Sequence, residues 1–202
     1  MLLGRGDGGR HVLLSFLLLA GLILLFFLDQ PIRNVTSMIS TDQFLNIMGI
    51  TSDIGSWVYL SIIALAILGF GHTRNEKKLK IAGKYGLYAV VSSRLIVEIL
   101  KHLFGRPRPA LFDSEGFRIG PTFTSGYDAF PSGHAGSSFA FAYILSKLFP
   151  KKGYIFYGGA IIISFSRVYL DVHYASDIYA GGIVGIISGM VVYKYLETKR
   201  IT

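Results

Sequence analysis

A chain of 202 residues is long enough for one domain or two small ones. Hydrophobic residues make up 51%, charged residues 16%, and the mean hydropathy is +0.51; this excludes a disordered chain and a typical soluble enzyme, in which about 25% of residues are charged. The lack of cysteine excludes disulfide frameworks, thiol nucleophiles and cysteine-held zinc, and a net charge of +8 on so apolar a chain suits a membrane protein with its cations on one side better than a nucleic-acid binder.

Six apolar runs of about 20 residues each predict transmembrane helices. The first, 12–28, is nearly unbroken Leu, Ile and Phe. Arg5 and Arg10 precede it as in a signal peptide, but no clear small-x-small cleavage site follows, so it reads as a retained helix. Segment 31–48 is too polar to span; Ile32, Val35, Met38 and Ile39 recur at helical spacing, which fits either a helix lying flat at the outer interface or an irregular loop. The second run is 54–70 and the third 81–104, the latter interrupted by Arg94, Glu98 and Lys101. The fourth, 133–149, is stopped by Pro150; the fifth is 154–170 and the sixth 175–196. The expected fold is all-α, an integral membrane bundle of six transmembrane helices in a single domain, 1–202.

If six spans alternate, Arg5, Arg10, the basic loop 72–80, Lys147, Lys151, Lys152, Lys194, Lys199 and Arg200 share one side, while Asp29, Arg33, Asp42 and Asp53 lie on the other. The positive-inside tendency then puts both termini in the cytoplasm of a multi-pass cell-membrane protein. Gly181, Gly185 and Gly189 form a small-residue stripe, read as close packing within the bundle rather than as a dimer contact. The oligomeric state is left open.

Arg94, Glu98 and Lys101 share one helix face. Charges at membrane depth are costly and usually face the interior to do work, although an ion pair of Glu98 with Arg94 or Lys101 that merely fixes packing fits equally well. Lys101 also opens a pattern, K-x6-R-P, that runs through Arg108 and Pro109. Pro131-Ser132-Gly133-His134 starts the fourth span, and S-R-x5-H-x3-D joins the fifth to the sixth through Ser166, Arg167, His173 and Asp177. With the termini inside, all three motifs fall on the outer face. Lys101, Arg108 and Arg167 at one depth would repel one another without an anion between them, and phosphate suits Arg forks and a Lys point charge. Ser132 and Gly133 open a helix whose N–H groups favour an anion.

These three motifs, in this order on six spans, resemble the type 2 phosphatidic acid phosphatase superfamily of membrane lipid phosphatases. Within it the short chain is most similar to the bacterial phosphatidylglycerophosphate and undecaprenyl-diphosphate phosphatases. The resemblance implies that His173 attacks phosphorus, that Asp177 orients it, and that His134 serves the leaving oxygen and then water. Lys101, Arg108, Ser132, Gly133 and Arg167 would bind the phosphate, with no cofactor and no metal. The implied reaction is hydrolysis of phosphatidylglycerophosphate, undecaprenyl diphosphate or both at the extracytoplasmic face, with the bilayer as partner and no nucleic acid. A lipid phosphotransferase is the alternative, and a transporter or channel a weaker one.

Of the other residues, His11, His72 and His102 read as structural, and Arg106 and Arg118 as loop or headgroup contacts. Asp171 is a candidate cap of the sixth span. Loop 105–130 is a candidate lid over the pocket, and its Phe112, Phe117, Phe123, Tyr127 and Phe130 either contact lipid or pack the loop.

Overall fold

The computed structural model describes residues 7–111 and 119–201, and the side chains of 9–111 and 119–199. Arg5, Phe112, Phe117 and Arg118 lie outside these residues, as does the side chain of Arg200. All regular structure among the described residues is helical. Each of the six apolar runs forms a helix, and a seventh is added between the first two.

Helix α1, Asp7–Met38, runs ten residues beyond the apolar run and passes through Pro31. A proline within a helix removes one N–H and need not end it. Thr41 then caps α2, Asp42–Ile54, its hydroxyl accepting from the Phe44 N–H. Apart from the break at 39–41, the polar segment 31–48 is therefore helical, against the irregular-loop alternative. Helix α3, Trp57–Thr73, follows at a bend of 56°.

Helix α4, Lys77–Phe104, ends at Gly105, whose φ of +53° supplies the left-handed cap. Helix α5, Gly133–Leu148, is the central element and packs against α4, α6 (Gly153–Tyr169) and α7 (Ala175–Ile201). Small residues allow this. A Cβ on Gly181 would stand 2.4 Å from the Ser132 carbonyl oxygen, and one on Gly185 would stand 2.3 Å from that of Gly136. The glycine stripe is thus spent on the α5–α7 contact within the chain.

By length and composition alone, Gly9–Met38 and Ala175–Lys199 suffice to cross a membrane, and the bent pair α2–α3 makes a third crossing if taken as one span. Helices α3 and α6 have 17 residues and α5 has 16, about 25 Å of rise each against a hydrocarbon core of about 30 Å. Six full crossings are therefore not established by these lengths. Helix α1 is peripheral, with Val12, Phe16, Leu24 and Phe27 more than half exposed, as suits lipid contact.

Candidate active site

The site lies at one end of the bundle, where α4 stops, α5 starts, α6 stops and α7 starts. Lys101 is buried at the end of α4, and its Nζ lies 3.3 Å from Asp128 Oδ2. Beyond the Gly105 cap the chain turns so that Arg108 reaches the same carboxylate with two parallel hydrogen bonds of 2.7 Å each. Backbone pairing fixes this loop, from the Arg108 N–H to the Gly126 oxygen at 2.9 Å and from the Ala129 N–H to the Arg106 oxygen at 3.0 Å. Burial alone would raise Asp128, but the Arg108 hydrogen bonds and the Lys101 charge outweigh it and hold the carboxyl well below the usual carboxylate range.

Ser132 is fully buried before α5, and its N–H donates to the Asp177 backbone oxygen at 3.0 Å, which ties the second motif to the third. Its Oγ has no hydrogen-bond partner. A Cβ on Gly133 would stand 2.9 Å from Arg94 Nη1, so glycine leaves this helix start open to the guanidinium. Arg94 itself pairs with Glu98 at 2.6 Å, the ion pair that the sequence left open. His134, one residue into α5, lies within the fields of Arg167, His173, Lys101 and Arg94.

Arg167 ends α6. Its Nη1 donates to Ser52 Oγ on α2, its Nε is buried without a partner, and its backbone oxygen accepts from the His173 N–H at 3.2 Å. His173 is 3% exposed, with Nδ1 lying 3.5 Å from Asp177 Oδ2. At that distance no hydrogen bond forms, and Nδ1 is buried without a hydrogen-bond partner; such contacts often tighten only when substrate is present. Burial pushes the imidazole below its ordinary value, with the contact and charge of Asp177 opposing.

Asp177 is fully buried in the first turn of α7, and its Oδ2 also accepts from the Tyr174 N–H at 2.8 Å. Asp171 does not cap α7. It sits at φ +53° and pairs with Arg33 at 2.8 and 3.0 Å. His102, read from sequence as structural, has Nδ1 at 2.8 Å from the Glu98 backbone oxygen and its ring centre 4.8 Å from that of Phe123.

Arg106 overturns its sequence reading as a surface contact. It is 3% exposed. Nη1 donates to Ser176 Oγ at 2.7 Å and to Asp177 Oδ1 at 2.6 Å, and Nη2 donates to Asp29 Oδ2 at 2.8 Å. The guanidinium lies 4.0 Å from the Tyr174 ring centre and 4.8 Å from that of Phe26. Asp29, read from sequence as an outer-loop residue, is a buried part of α1. Asp29, Arg106 and Asp128 are the residues that sequence reasoning missed. The available signals were weak: an acid closing an apolar run, and a second arginine inside a spaced motif.

A bundle of this shape, with histidines, a carboxylate and cations at one end, places the chain among helical membrane phosphatase folds. The crystal structure of a transmembrane PAP2 type phosphatidylglycerolphosphate phosphatase from Bacillus subtilis matches it with a TM-score of 0.63 at 22% identity, covering 90% of this chain and 94% of that one. The sequence model described as PAP2 superfamily matches residues 83–201, and the chain belongs to that superfamily.

Among relatives, a lipid A 1-phosphatase of Rhizobium johnstonii is 37% identical over 101 residues, 49% of this chain and 41% of that protein. The undecaprenyl-diphosphatase BcrC of Bacillus subtilis is 26% identical over 144 residues, 71% of this chain and 70% of that protein. The chain thus spans about two fifths of the Rhizobium protein's length.

Proposed function

We propose that the chain, working as one domain over 1–202, is a metal-independent phosphatase that removes phosphate from a membrane lipid through a phosphohistidine. The observation that carries this reading is the buried His173, with Nδ1 turned to Asp177 at 3.5 Å, at the end of the bundle where Lys101, Arg108, Arg167 and His134 gather. The names of the relatives support a lipid phosphate or diphosphate as substrate. Phosphatidylglycerophosphate and undecaprenyl diphosphate are the leading candidates, and a lipid A phosphate joins them through the Rhizobium relative.

In this mechanism His173 attacks through Nε2, the nitrogen on the far side of the ring from Asp177. A bond forms from Nε2 to phosphorus and the bond from phosphorus to the lipid oxygen breaks; His134, which takes up a proton when the anionic phosphate sits among the cations, gives that oxygen its proton. His134 then takes a proton from water, whose oxygen displaces Nε2 and releases inorganic phosphate. Nδ1–H stays with Asp177 throughout, which holds the productive tautomer. Lys101, Arg108, Arg167 and the Gly133 N–H offset the charge on the equatorial oxygens, the main electrostatic need in phosphoryl transfer.

The reading also places this end outside the cell and both termini in the cytoplasm. Lys78, Lys151 and Lys152 line one pocket at the opposite end, the basic side that positive-inside would keep in the cytoplasm.

The test is phosphate release by purified protein from phosphatidylglycerophosphate, undecaprenyl diphosphate, lipid A and phosphatidic acid in detergent, with and without chelator. His173→Ala is expected to lower turnover at least ~10⁴-fold while the protein still folds, and chelator to leave the wild type active. Full turnover by folded His173→Ala would end the proposal.

A further inference from the structure

Resting on that reading, we propose that Arg106, anchored from α1 by Asp29, is a positioning residue for the His173–Asp177 pair, so that α1 is part of the working site. Helix α1 lies outside the segment 83–201 matched by the superfamily. Its one buried carboxylate at this level is nevertheless tied to the start of α7 by two contacts and to Arg106 by a third. Asp29 Oδ1 accepts from the Ser176 N–H at 2.9 Å, while Oδ2 accepts from Ser176 Oγ at 2.5 Å and from Arg106 Nη2 at 2.8 Å.

The guanidinium is a rigid planar fork, so fixing one arm on Asp29 fixes the other on Asp177 Oδ1. Asp177 is left with Oδ2 for the Tyr174 N–H and His173 Nδ1. Ring stacking on Tyr174 and Phe26 holds the plane of the fork. A lysine would keep the charge and lose this geometry.

The charge balance fits the chemistry. Two carboxylates and one guanidinium leave the cluster with one net negative charge. When Nε2 of His173 bonds to phosphorus while Nδ1 keeps its proton, positive charge develops on the ring, and the cluster is arranged to meet it. The groups facing His173 from the surrounding elements are Asp177 on α7, Arg106 and Asp29 acting through it, Lys101 on α4, Arg167 on α6 and His134 on α5. Removing the Asp29 charge disfavours the protonated ring, and attack requires the neutral ring. The acid limb of kcat against pH therefore moves to lower pH.

The experiment measures kcat, KM and the pH profile of the full chain in detergent, on whichever lipid phosphate of the panel the wild type hydrolyses. The variants are Asp29→Asn, Arg106→Lys, the double variant and His173→Ala, each first checked for folding by thermal unfolding. Asp29→Asn and Arg106→Lys are each expected to lower kcat about 10- to 100-fold with KM within about threefold, and Asp29→Asn to shift the acid limb down by roughly half a pH unit. The double variant is expected to match Arg106→Lys within about twofold, because Asp29 acts through Arg106.

An unchanged kcat and acid limb in Asp29→Asn, or losses that multiply in the double variant, would overturn the inference. If Asp29→Asn does not fold, Ser176→Ala decides: a loss of about threefold or more in kcat at constant KM supports the inference, and an unchanged kcat overturns it. An active His173→Ala would instead sink the phosphohistidine reading. A dead His173→Ala beside a normal Asp29→Asn sinks only the present inference.

Discussion

Asp128 enters the site from the loop before α5 and holds two of the cations expected to bind phosphate, Arg108 by both oxygens and Lys101 by one. A substrate phosphate must either draw those cations away or share them with the carboxylate. Asp128→Asn removes the competing charge, so inorganic phosphate is expected to inhibit roughly three- to tenfold more tightly; an unchanged inhibition constant would show that Asp128 does not compete. The pH dependence has a definite sign. Because the Asp128 value is depressed in the folded chain, the clamp contributes in full above the ordinary carboxylate value of about 4 and is lost only as pH falls through the lower, folded value. At this scale the sequence showed the spaced residues and hid the isolated ones. Lys101, Arg108, His134, Arg167, His173 and Asp177 announce themselves by interval. Asp128 is a single acid in a loop, and its role depends on backbone pairing between 106 and 129 and between 108 and 126.

Several helices in this bundle approach one another closely at glycines. Beside Gly181 and Gly185, Gly83 on α4 would place a Cβ 2.4 Å from the Leu68 N atom on α3. Where the facing atom is backbone, nothing can swing aside. Gly185→Ala is therefore expected to destabilise the chain by about 1–3 kcal/mol, seen as a lower unfolding temperature in detergent. Gly159→Ala on α6, where a Cβ meets nothing within 4 Å, is the control and should leave that temperature in place or raise it slightly. The helices themselves were legible as apolar runs. The reach of α1 to Met38 was not, because segment 31–48 is too polar to read as part of a span, and the helical spacing of Ile32, Val35 and Met38 in it was compatible with a separate interfacial helix.

For the whole molecule, the gathering of three motifs at one end follows from the alternation of spans and was legible in the residue order. The contribution of α1 was not, since Asp29 and Ser176 are 147 positions apart and neither stands out alone. The orientation in the membrane has a direct test, because a chain without cysteine gives any introduced thiol a unique label. Phe123→Cys, at a position 89% exposed in the loop at the site end, is expected to react with an impermeant maleimide on intact cells. Lys151→Cys at the other end should react only after permeabilisation. The reverse pattern would turn the molecule over and put the chemistry in the cytoplasm.

The tie between Asp29 and Ser176 also bears on how the protein is made. Among the described helices α1 is made before α7, so the acid on α1 waits without its serine while 147 further residues are added. Arg106 arrives 77 positions after Asp29 and can shield it in the interim. The cluster of Asp29, Arg106 and Asp177 closes only when α7 docks, so this end of the bundle is completed after the other described helices have been made.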